Sequence, residues 1–166
     1  MLIGNPSNFA VEFELNENYE GVWLLGKFCY WVQDERIGEY DLGTSLRDVL
    51  FQIEGIVRFN NKRDGGRFIH SSAQEVYEML NAALYGNGDS QIAIEEQWAR
   101  FDICPLMDIY NDWKIYLVEH SLQTRIIYQN IMQQKVSEKI LKPNEFENAI
   151  RKTYEAINEM YEKELA

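Results

Sequence analysis

Apolar residues recur along this chain with two periods, and the places where the period changes mark its elements. Over residues 9–15, Phe9, Val11, Phe13 and Leu15 alternate with Ala10, Glu12 and Glu14, the period-two pattern of a strand with one buried face. Residues 22–33 carry Trp23, Leu24, Leu25, Phe28, Cys29, Tyr30 and Trp31 on both faces, which predicts a central strand. Asp34 and Glu35 turn the chain into a shorter, more polar strand over residues 36–41 with edge character. The opening residues 3–8, rich in Gly, Asn and Pro, read as a turn.

The period then lengthens. Ser45 and Asp48 have the spacing of a capping box, and Leu46, Val49, Leu50, Ile53, Ile56 and Val57 follow at helical intervals. Residues 60–66 form a mobile, locally basic loop. Ser72 and Glu75 cap a second helix with Val76, Met79, Leu80, Ala83 and Leu84 on one stripe, ended by Gly86, Asn87 and Gly88. Residues 92–99 fit one or two helical turns or an irregular connection, residues 100–104 read as a strand stopped by Pro105, and residues 106–112 read as a loop.

Residues 113–129 organise the second half. Two β-branched and aromatic runs flank the polar break at Ser121, Leu122 and Gln123, a β-hairpin signal. In the first run Trp113, Ile115 and Leu117 point one way and Lys114, Tyr116 and Val118 the other, so both faces call for cover. Residues 135–141 make a last, partly polar strand. Beyond Pro143, the stripe of Phe146, Ala149, Ile150, Tyr154, Ile157, Met160 and Tyr161 predicts a long closing helix, with Glu155 and Glu159 on its other face. The expected architecture is α+β, an antiparallel sheet built from two meanders with amphipathic helices packed on it, folded as one domain over residues 1–166.

Composition narrows the chemistry. A chain of 166 residues can bury roughly two thirds of its unfolded surface and requires no covalent staple. Cys29 and Cys104 lie in separate apolar segments and read as reduced thiols of a cytoplasmic protein. No segment has the apolar length of a membrane span, and the first residues lack a signal-peptide pattern. Sixteen Lys and Arg against twenty-seven Asp and Glu leave a net charge of −11, which argues against nucleic acid or an anionic membrane as partner and favours a basic protein.

A catalytic constellation is not signalled. His70 and His120 sit in no metal-binding or triad spacing, and no phosphate-cradling Gly-rich loop follows a strand. Cys104 has acids for neighbours, which raise a thiol's pKa and blunt it as a nucleophile. Neither catalytic residue, metal nor cofactor is expected. Asp102, Asp108, Asp112 and Glu119 cluster in sequence, with Glu95 and Glu96 upstream. They can be solvated carboxylates, an acidic patch facing a partner, or, for Asp102, Asp108 and Asp112, oxygen ligands of a metal-dependent enzyme. Tyr110, between two of these acids, is either an aromatic anchor for that partner or a core residue.

Several blocks carry a resemblance: Ile3 to Ser7 with Phe9; Trp23, Leu24, Gly26, Lys27, Phe28, Cys29, Tyr30 and Trp31; Leu42 to Asp48; Arg100 to Pro105; and Asp112 to Val118. In order and composition they resemble the Immunity protein 42 family of bacterial polymorphic-toxin systems. The resemblance implies a small cytoplasmic antidote, encoded beside a toxin, that inhibits by stoichiometric binding and catalyses nothing. An acidic protein without catalytic residues suits the covering of a basic, nuclease-like site. An adaptor protein unrelated to toxins is the remaining alternative. The expected partner-facing residues are Glu95, Glu96, Asp102, Asp108, Tyr110, Asp112 and Glu119.

Overall fold

The structure is a computed structural model, and it describes residues 1–86, 91–121 and 123–166, together with the backbone alone at Ser90. Asn87, Gly88 and Leu122, which the sequence places in a helix end and a hairpin break, lie outside the described residues. The chain divides into two compact units. The first comprises Met1–Asn60, Pro105–Asn111 and Pro143–Ala166, and the second Asn61–Cys104 and Asp112–Lys142.

The first unit holds strands β1 (Leu2–Asn5), β2 (Phe9–Leu15), β3 (Leu25–Val32), β4 (Glu35–Ile37) and β5 (Thr44–Ser45) and helix α1 (Leu46–Val57). β1, β2, β3 and β4 form an antiparallel meander in that order, and β5 pairs with the opposite end of β3. The opening residues therefore hold a strand where composition suggested a turn. Gly4 makes this possible: it has φ +103°, and a Cβ there would stand 2.4 Å from the Phe9 carbonyl oxygen.

β3 also starts later than its apolar run. Gly21–Trp23 is a 3-10 turn bounded by Glu20 and Leu24 in the left-handed region, so the backbone reverses before the ladder begins at Leu25. This turns Trp23 outward to 47% exposure. β4 ends at Ile37, and Tyr40–Leu42 is again a 3-10 turn.

The α1 cap forms as the spacing predicts, with the Asp48 N–H donating to Ser45 Oγ at 3.2 Å. Its buried stripe is Leu46, Val49, Leu50, Ile53 and Ile56. The last helix of the chain, Glu145–Leu165, buries Phe146, Ala149, Ile150 and Ile157 in the same unit. It packs against α1, β2 and β1. Phe9 meets Phe146 at 4.9 Å and Tyr30 at 5.5 Å between ring centroids, joining sheet and helix through tilted aromatic pairs.

The second unit contains α2 (Ala73–Tyr85), the short α3 (Ser90–Glu95), and the meander β6 (Trp113–His120), β7 (Gln123–Asn130) and β8 (Lys135–Leu141); the closing helix is thus α4. The α2 capping box is complete: Ser72 Oγ accepts from the Glu75 N–H, and the Glu75 carboxylate accepts from the Ser72 N–H at 2.7 Å. Phe68, Val76, Tyr77, Leu80, Trp98, Phe101, Tyr116, Val118 and Ile127 form the core between α2 and the meander. Ile115, Leu117, Ile126 and Tyr128, on the opposite face, are buried too.

The α+β class and its two antiparallel meanders stand as expected, each meander forming its own sheet. Residues 100–104 are not a strand. Trp98–Phe101 is a 3-10 turn, and Asp102 makes a single bridge to Tyr116 at the β6 edge. In the basic loop 60–66 the structure corrects the picture at Arg63. Its side chain is fully buried and its Nε donates to the Arg100 carbonyl at 2.8 Å, so it is an internal tie.

Candidate functional site

The partner-facing residues singled out in the sequence fall into the two units. Asp108 and Tyr110 belong to the first, and Glu95, Glu96, Asp102, Asp112 and Glu119 to the second. Their individual settings separate carboxylates that hold the scaffold from those that face solvent.

Asp102 is a scaffold group. It accepts from the Tyr85 hydroxyl and, at 3.0 Å, from the Cys104 N–H, which ties the C-terminal end of α2 to the segment along β6. Burial raises its carboxyl above the ordinary range, opposed by those two hydrogen bonds and by Lys114. The Lys114 ammonium stands 3.3 Å from the centroid of the Tyr85 ring, so the pair shares one cation. Burial and the Asp102 charge push the Cys104 thiol up, and its S–H donates to the Trp113 carbonyl at 3.4 Å. This cysteine is a hydrogen-bonded structural thiol.

Glu96 is also engaged, pairing with Arg67 at 2.9 Å and accepting from Trp98 Nε1 at 2.9 Å. Glu119 contributes through its backbone: its N–H donates to the Arg63 carbonyl at 2.8 Å and its carbonyl accepts from Gly65 at 2.7 Å. Glu95, Asp108 and Asp112 are exposed. Glu95 accepts from the Gln91 side chain at 3.0 Å, and Asp108 opens the 3-10 turn Asp108–Tyr110.

Tyr110 takes the core alternative. It is 2% exposed, its ring lies 5.4 Å from Tyr30 and 6.4 Å from Phe28, and it closes over Gly38, where a Cβ would sit 3.0 Å from it. Among the described residues no three His, Cys, Asp or Glu side chains stand together as a cation site. Asp102 accepts one hydrogen bond on each oxygen, from the Tyr85 hydroxyl and from the Cys104 N–H.

Two surface features of the first unit escaped the sequence reading. The Arg47 guanidinium stacks 3.7 Å from the exposed Trp23 ring while binding Asp48 at 2.7 Å, a pairing of two residue types that are enriched at binding hot spots. Beside it a groove of about 490 Å³ runs between Leu42, Thr44, Asp48, Leu106 and Asp108. Leu42 and Leu106 on its rim are 64% and 70% exposed. The exposure of Trp23 depends on the left-handed turn at Glu20 and Leu24, which no apolar pattern encodes.

No helix among the described residues is long and apolar enough to cross a membrane. No curated protein matches the chain. Among solved structures, the fold is similar to the crystal structure of CdiI from Burkholderia dolosa AUO158. The TM-score is 0.74 and the identity 18%, over 94% of this chain and 99% of that one. The profile of the family described as Immunity protein 42 matches residues 1–156, which include every block that carried the resemblance. The chain belongs to the Immunity protein 42 family: it is an immunity protein, and its partner is a toxin.

Proposed function

We propose that this protein binds the toxin domain encoded beside it one to one in the cytoplasm and neutralises it by occlusion, without catalysis. The observation that carries the reading is the family match over residues 1–156. The setting is contact-dependent inhibition or a related polymorphic-toxin system, in which the antidote protects the producing cell and its kin.

The net charge of −11 favours a basic toxin surface, such as that of a nuclease, over nucleic acid or an anionic membrane. Glu95, Asp108 and Asp112, all exposed, are the carboxylates best placed to steer association, while Glu96, Asp102 and Glu119 are engaged in contacts within the second unit. Such steering raises association rates to about 10⁸ M⁻¹s⁻¹ at low salt.

Coexpression of the toxin domain with and without this chain tests the reading. Growth restored by the chain, together with a complex of equal stoichiometry on size-exclusion chromatography, is the expected result. Cell death in the presence of well-expressed, folded chain would sink it.

A further inference from the structure

The edges of the two sheets are protected to different degrees. β4 is three residues long and exposes Glu35 and Arg36, and β8 exposes Lys135 and Glu138, charges that discourage strand pairing. β6 is covered by the bridges Asp102 to Tyr116 and Asp64 to Glu119. β1 has neither device. Its four residues, Leu2, Ile3, Gly4 and Asn5, carry no charge, and Leu2 is 51% exposed.

The β1 ladder fixes which backbone groups remain open. Phe13 N–H donates to the Met1 carbonyl at 2.9 Å and the Met1 amino group donates to the Phe13 carbonyl, making this a hydrogen-bonded pair. The register Leu2 to Glu12, Ile3 to Val11, Gly4 to Ala10 and Asn5 to Phe9 then alternates, so Leu2 and Gly4 aim N–H and C=O away from β2. Alongside this edge lies a cleft of about 240 Å³ lined by Gly4, Asn5 and Phe9 from the sheet side and Asn148, Ala149 and Lys152 from α4. Phe9 and Ala149 give it a buried apolar floor, and the exposed Asn148 and Lys152 give it a polar rim.

We propose that β1 is a docking edge to which the toxin domain adds an extended segment, one of whose side chains enters the cleft beside α4. The inference rests on the immunity reading above and specifies its surface. Outward backbone donors and acceptors select another backbone, and a cleft on the α4 side selects a strand whose alternate side chains point that way. A second copy of this chain is the poorer occupant. Two chains of −11 repel one another, whereas a basic toxin is attracted. A symmetric pairing of four-residue strands would also bury far less than the roughly 800 Å² per partner of a stable interface.

Amide hydrogen exchange followed by NMR, on the chain alone and in complex with its active-site-inactivated neighbouring toxin domain, tests the proposal. The Leu2 and Gly4 amides should exchange freely in the chain alone and slow by about tenfold or more in the complex. Leu2→Lys, which charges the edge, and Asn148→Trp, which fills the cleft, replace exposed side chains and should each raise Kd by about tenfold or more with the melting temperature unchanged. A complex that forms without protecting these amides, and with both variants at wild-type affinity, overturns the docking edge and leaves the immunity reading intact. Protection that rises with the concentration of the chain alone identifies a second copy as the occupant and also overturns it. Absence of any complex removes the immunity reading and this inference with it.

Discussion

At Asp102 burial and hydrogen bonding oppose one another, and their balance makes this carboxyl's share of the stability depend on pH. Burial raises this carboxyl in the folded state above its unfolded value, so the native form holds the proton more tightly. The resulting contribution is fully present below the unfolded pKa and is lost as pH rises through the folded one. Carbon-detected NMR of the side-chain carboxyl should give a midpoint above the ordinary value of about 3.9, and Asp102→Asn should flatten the pH dependence of stability across that window. A midpoint at or below the ordinary value would show that the Tyr85 and Cys104 hydrogen bonds outweigh burial. The cysteines offer a second check at this scale. Both are free, and burial, reinforced by Glu12, pushes the Cys29 thiol up to about 12. Maleimide should therefore label Cys29 slowly in the native protein at neutral pH. Two thiols should react after unfolding in non-reducing buffer, and a count of zero would establish a disulfide.

Among the elements, α4 makes the clearest claim on stability. Ile150 and Ile157 are fully buried, whereas Glu155 and Glu159 are exposed and pair with Arg151 and Lys163 one turn away. Replacing either isoleucine with alanine should cost about 2 to 5 kcal/mol through lost burial and a residual cavity. Replacing either glutamate should cost about 0.5 kcal/mol or less, since an exposed helical ion pair offsets little more than its own entropy. Urea denaturation of the four variants checks this, and equal losses from both pairs would contradict the helix face seen here. The α2 capping box is a further element-scale contribution, and Ser72→Ala should lower stability by about 1 kcal/mol in the same measurement.

For the whole molecule, the two units are built from interleaved stretches of chain, with crossings after Asn60, Cys104, Asn111 and Lys142. Neither unit can be excised as one continuous segment. We therefore expect residues 1–166 to unfold as a single cooperative domain, with equal calorimetric and van't Hoff enthalpies and coincident near- and far-UV transitions. Two separated transitions would show the units to be independent. Net charge also acts at this scale. Association with the toxin domain should slow steeply between low and physiological salt, and Asp108→Ala combined with Asp112→Ala should reduce that dependence by lowering the association rate more than it raises dissociation. Unchanged rates in the double variant would move the electrostatic contribution to other carboxylates.

The sequence by itself determined the class and most of the elements, because period is a local property of a chain. The stripe of α1, both its cap and that of α2, the 113–129 hairpin and the buried face of α4 are all written in residues a few positions apart. The family, too, was legible in short blocks spread along the chain. What the tertiary structure decided depends on partners distant in sequence or on backbone that reverses without a pattern. β1 exists because Gly4 can lie against Phe9 and Ala10; Trp23 is outside because Glu20 and Leu24 turn left-handed; Arg63 is inside because the Arg100 carbonyl receives it. Tyr110 and Asp102 make the same point for the site. A tyrosine between acids and an aspartate before a cysteine look alike from their neighbours whether they face a partner or the interior. Only the rings of Phe28 and Tyr30 around the first, and the hydroxyl of Tyr85 on the second, placed them in the scaffold.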